Sequence, residues 1–284
     1  MMLNVEKLFT YLFLLIPLFL ITGPAIPDIT ISVGVLFGIF YIVLLQNYRM
    51  LYESNFFIIS ILFWFSLIFI SLFAYKKIDS FQDSIIYIRL LLIPIFCYFI
   101  FFRDSRIFKY SLLLILILII FVCVDTIYQF INYTSRDGFG EDILGFKSNW
   151  YGRLTGPFGD ELIPGSYVSK FGLFGFAFLI SSKRFQNKTI IQSIYLSLIL
   201  FVSYVSGERM SFATFSLGLL VLFIFLNDFR KSIFLSIIIG VSLILITLYL
   251  HPFYNDYTVI ESTQFHQGQK IEKIFLFFDL DDID

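Results

Sequence analysis

FVSYVSGERMSFATF, residues 201–215, sets Gly207-Glu208-Arg209 between two strongly apolar runs. Glu and Arg are among the costliest residues to place in lipid, so the stretch forces a choice. As one helix, residues 190–226 would be about 55 Å long, nearly twice the roughly 30 Å of a bilayer's hydrocarbon core. Two helices and a tight turn at Ser206-Gly207 fit better. The charges then surface at an interface, and the chain becomes a series of helices that cross and return.

The rest of the composition agrees. Of 284 residues 58% are hydrophobic, 20% aromatic and only 14% charged. Soluble domains run about 45–50% apolar and about 25% charged, and 39 Phe are more than one soluble core could bury. This is the profile of an all-α integral membrane protein. A net charge of −1 gives no reason to expect nucleic acid. Cys97 and Cys123 both lie in apolar runs and read as packing residues, with neither metal spacing nor a disulfide framework. The apolar stretch after Lys7 lacks a small-residue cleavage site before Pro24 and reads as a retained first span.

Apolar runs predict about nine transmembrane helices, near 8–22, 29–45, 56–74, 85–102, 110–131, 165–181, 190–206, 210–226 and 232–250. The positive-inside rule orients them. With a cytoplasmic N-terminus, short inner segments hold Lys7, Arg49, Arg103, Arg106, Lys109, Lys183, Arg184, Lys188, Arg230 and Lys231. Outer Lys and Arg residues spread over longer stretches, and the outer turn TGPAIPD has none. Residues 1–284 thus form a single polytopic membrane domain without internal repeats. Its outer parts are a long loop at 132–164, between spans five and six, and a tail at 251–284.

On this topology four ionisable residues from four helices share one depth. Arg89, Asp125, Lys170 and Arg209 all fall within roughly 10 Å of the outer boundary. The bland reading pairs Arg89 with Asp125 and lets Lys170 and Arg209 snorkel. The functional reading is a net-cationic layer for an anion reached from the membrane. Arg offers phosphate oxygens a planar fork of donors and keeps its charge, so a lipid-linked diphosphate fits.

The loop contains Gly152-Arg153-Leu154-Thr155-Gly156-Pro157-Phe158-Gly159, a dense turn signal around one Arg, followed by Asp160 and Glu161. The order G-R-L-T-G-P-F-G-D…G-S-Y, a helix, a basic inner loop, a helix, then S-G-E-R-M-S-F and another helix resembles the O-antigen ligase and polymerase family. These are bacterial polytopic glycosyltransferases of the inner (plasma) membrane that act on undecaprenyl-diphosphate-linked glycans. The resemblance covers roughly residues 110–250.

It implies glycan transfer at a periplasmic face, from a polyprenyl-diphosphate carrier to a hydroxyl of lipid A–core or of a growing polysaccharide. Arg153 matches the Arg of the family's G-R-x-x-G-x-F motif and Arg209 that of its S-G-x-R-x-S motif. Both would bind the diphosphate and stabilise it as a leaving group, with no metal or cofactor. Lys170 and Arg89 would support them, while Glu208, Asp160 and Glu161 would orient the arginines. Family members continue with a large outer loop holding a functional His and further helices. Here the chain ends at FFDLDDID, so it is expected to be a C-terminally incomplete member whose own activity is open. His266, in STQFHQGQKIEKIF, is the candidate for that His, against the plainer reading of an ordinary loop histidine; His251 reads as an interfacial residue. Two rivals remain at this stage: a transporter or flippase of lipid-linked glycans, and an inactive truncated paralogue. Transporters set binding charges near the midplane and often carry repeats, neither of which is seen here.

Overall fold

The computed structural model describes residues 10–12, 14–45, 55–103, 105–135, 138–148, 152–182, 184–185 and 188–254. They divide into two compact units, Met1–Leu118 and Ile119–Asp284.

The first unit runs through α1 (Ile16–Phe19), α2 (Ala25–Leu45), α3 (Asn55–Ser71), α4 (Lys77–Ile86), α5 (Ile88–Arg103) and the N-terminal half of α6 (Ser105–Ile131). Its core joins Val35 of α2 to Leu92, Ile95 and Phe96 of α5. Gly38 lets the two backbones close up, because a Cβ there would come within 2.7 Å of the Phe96 ring. Arg89 opens α5 and reaches back to α2, donating from Nη1 to Asp28 Oδ2 at 2.9 Å and to Ser32 Oγ at 2.6 Å. The bland reading paired Arg89 with Asp125; the ion pair it makes is with Asp28, 61 residues earlier. Helix α4 was not expected. Ile78, Phe81 and Ile85 recur at helical spacing on one side of it, none of its residues is buried, and Trp64 Nε1 of α3 donates to Ser84 O at 2.9 Å. Of the expected first span at 8–22, residues 10–12 and 14 are helical, while 8, 9 and 13 lie outside the described residues. Pro17 opens the four-residue α1, and a 3₁₀ turn, Leu20–Thr22, carries the chain to Gly23.

The second unit holds the C-terminal half of α6, a two-residue hairpin of β1 (Tyr133–Thr134) and β2 (Gly138–Phe139), then α7 (Pro164–Ser181), α8 (Thr189–Val205), α9 (Arg209–Phe225) and α10 (Arg230–Leu250). The strands are antiparallel, with Tyr133 opposite Phe139. Helix α8 is the central element, touching α7, α9 and α10 and burying Leu196, Ile199, Leu200 and Val202. Small residues let its neighbours in, as membrane helix interfaces require. Gly172 of α7 sits on Ile199 and Gly240 of α10 on Leu200, so close that a Cβ on either glycine would come within 2.7 Å of the side chain it faces. Hydroxyls are satisfied between helices: Ser193 Oγ donates to Ser232 O at 2.9 Å, and Ser232 Oγ to Gln192 Oε1 at 2.7 Å.

The all-α class stands, apart from the small hairpin. By length and composition, two helices among the described residues are long and apolar enough to cross a membrane, Arg106–Ile131 and Asn227–Leu250. Ala25–Phe40, Asn55–Ser71, Thr189–Val205 and Arg209–Phe225 are apolar but shorter. The hairpin expected at Ser206-Gly207 is present: α8 ends at Val205 and α9 starts at Arg209.

Candidate functional site

The site is built where the 138–163 loop meets the C-terminal end of α6 and the α8–α9 turn. Helix α6 offers the loop a polar stripe of Asp125, Gln129 and Asn132, spaced i, i+4, i+7 on one face. Gln129 is fully buried and uses its whole amide. Its Oε1 accepts from Thr155 N at 3.0 Å and Gly156 N at 2.9 Å, while Nε2 donates to Thr155 Oγ1 at 3.1 Å and Phe146 O at 3.3 Å. Asn132 Nδ2 donates to Glu141 O at 3.2 Å, and Asp125 Oδ1 accepts from Ile143 N at 3.0 Å.

This docking sorts the Gly152–Gly159 motif into two parts. Leu154, Thr155, Gly156, Pro157 and Phe158 are buried, Phe158 against the Tyr167 ring at 5.3 Å. They are the anchor. Arg153 is left exposed at its edge.

The α8–α9 turn holds the same edge from the other side. Leu154 N donates to Ser206 O at 3.3 Å. Gly207 has φ +82°, a conformation that L side chains adopt at a cost, and a Cβ there would lie 2.6 Å from Gly152 O and 3.2 Å from Arg153 Cγ. The two segments around Arg153 and Arg209 are therefore in backbone contact. Arg209 is exposed at the first turn of α9.

Glu208, expected to orient the arginines, has serine partners. Its carboxylate accepts from Ser166 N, Ser166 Oγ and Ser211 Oγ, the last at 2.8 Å. One anion thus sits at the starts of both α7 and α9, where the amide dipoles favour it. Asp160 and Glu161 are exposed just past the 3₁₀ turn Gly156–Phe158, and Lys170 is exposed on α7. Arg89 belongs to the first unit, paired as described. His266 lies outside the described residues, as does the tail beyond 254.

His251 follows α10 and closes an aromatic cluster of Phe130, Phe139, Tyr133, Phe253 and Tyr254. Its ring stacks on Phe130 at 4.0 Å between centroids. Phe253 N donates to Nδ1 at 3.3 Å, so Nε2 carries the hydrogen and donates to Phe130 O at 3.1 Å. Burial pulls the imidazole below its ordinary value, and the bond to Phe130 O opposes this in part. Both ring nitrogens are committed, which makes His251 a brace for the loop and not a base.

Sequence reasoning singled out Asp125 but assigned it to a layer of charges. It passed over Gln129 and Thr126, although their spacing with Asp125 in an apolar helix was the available signal. Among the described residues no group of three His, Cys, Asp or Glu side chains converges. No family model, curated protein or solved structure matches the chain.

Proposed function

We propose that the protein transfers a glycan from a polyprenyl-diphosphate carrier to an acceptor hydroxyl, as O-antigen ligases and polymerases do, at the periplasmic face of a bacterial inner membrane. In this reading the nine apolar segments cross the bilayer with the N-terminus in the cytoplasm. The isoprenoid lies in lipid, and the diphosphate meets Arg153 and Arg209, with Lys170 alongside. The acceptor oxygen forms its bond to the anomeric carbon as the sugar–phosphate bond breaks. Its proton passes to a histidine or carboxylate base, and the released diphosphate keeps the bonding electrons. Fixed guanidinium donors stabilise that growing negative charge.

The observation that carries the reading is the contact between Gly207 and Gly152-Arg153, which holds two exposed arginines on neighbouring backbone. The test is a transfer assay with a lipid-linked oligosaccharide donor. Arg153→Ala and Arg209→Ala each lower the rate by about 10²-fold or more while membrane insertion is unchanged. Full activity in both variants removes the mechanism.

A further inference from the structure

We propose that the second unit contains a calcium site, built by Asp125, Thr126 and Asp142, that locks the loop to α6. It goes beyond the transfer reading and does not rest on it. The starting point is an imbalance of charge. Asp125 is wholly buried and Asp142 is 4% exposed, and the two carboxyl groups lie within hydrogen-bonding reach of each other. Each spends one oxygen on a loop amide. Asp125 Oδ1 takes Ile143 N, and Asp142 Oδ1 takes Phe146 N at 2.6 Å. The other oxygen of each, Asp125 Oδ2 and Asp142 Oδ2, is buried without a partner.

A third group lies beside Asp125. Thr126 Oγ1 is also buried and unpartnered, on a residue with no exposed surface. It is aimed at the same space: the position a Gly156 Cβ would take is 2.6 Å from Thr126 Oγ1 and 3.6 Å from Asp125 Oδ2. Gly156, at φ +49°, keeps that space free of a side chain. Buried polar atoms are almost always paired, so three orphans grouped around Asp125, one on the facing Asp142 and one on Thr126, call for a shared partner. Two carboxylates and a hydroxyl are hard oxygen donors with no nitrogen or sulfur among them, which selects a hard cation. Two carboxylates match a 2+ charge, and calcium accepts irregular oxygen cages completed by carbonyls or water.

The experiment uses the whole chain in detergent, stripped with a chelator and titrated with calcium chloride, read by calorimetry and by thermal unfolding. Uptake of one calcium ion per chain is expected, with a dissociation constant of roughly 10⁻⁴ to 10⁻³ M, and a melting point raised by several degrees at saturation. Asp142→Asn abolishes the uptake. Thr126→Val keeps the side-chain volume and weakens it about tenfold. Glu141→Gln, which removes the exposed carboxylate next door, leaves it unchanged. Absence of uptake by the unaltered protein at about 10 mM overturns the proposal, whatever the variants do. So does equal binding by Asp142→Asn, and so does a melting point that follows pH and ignores calcium, which would assign a shared proton to the pair.

Discussion

The two units each bring a pair of charged side chains together, and they do so in opposite ways. In the first, Arg89 meets Asp28, so the charges cancel within the chain and the pair stays partly exposed. In the second, Asp125 meets Asp142, like against like, and the residues around them are oriented toward a loop. An ion pair of the first kind is an ornament on helix packing, since exposed pairs contribute about 0–1 kcal/mol. The second kind makes the loop's place depend on the buried amide network of Gln129 beside the acid pair. The lesson is where to expect fragility: in the satisfied amide network beside the acid pair and not in the visible salt bridge.

Substitutions can break that contrast. Gln129→Leu removes both acceptor and donor from the buried network and strands the Thr155 and Gly156 amides. A loss on the order of 3 kcal/mol is expected, read as a lower melting point together with faster proteolysis of the 138–163 loop. Asp28→Asn should cost less than about 1 kcal/mol. Equal losses in the two variants would sink the comparison.

The smallest effect concerns pH. His251 is held below its ordinary value by burial, so the fold prefers the neutral ring. Stability from this group is complete above the unfolded value of about 6.5 and falls as pH drops from there through the lower folded value. A charged ring also loses its Nδ1 acceptor for Phe253 N. His251→Phe should flatten the melting curve's dependence on pH below about 6.5. An unchanged slope would show that the ring is not what titrates.

Helices α2, α3 and α5–α10 were legible in the sequence because long apolar runs leave the backbone few alternatives. Helix α4 escaped notice because its pattern is amphipathic, with Ile78, Phe81 and Ile85 interleaved among Lys, Asp and Ser. The α8–α9 turn was legible because the length argument needs only the bilayer's thickness, and Gly207 then supplies the positive φ the turn demands. Partners were not legible. Arg89 finds Asp28 across 61 residues, and Asp125 finds Asp142 only once the loop folds back on α6. Depth along a helix locates a charge in one dimension; what it faces is decided by rotation and packing, which an apolar run does not encode.

The backbone contact between Gly152-Arg153 and Ser206-Gly207 has one more consequence. Positions 153 and 209 are exposed on a frame held by glycine, Leu154 and Ser206. Scaffold and payload are separate there. Paired spin labels at these two positions would act as a caliper across the turn, reporting any parting of loop and helix hairpin without loosening the hinge they measure.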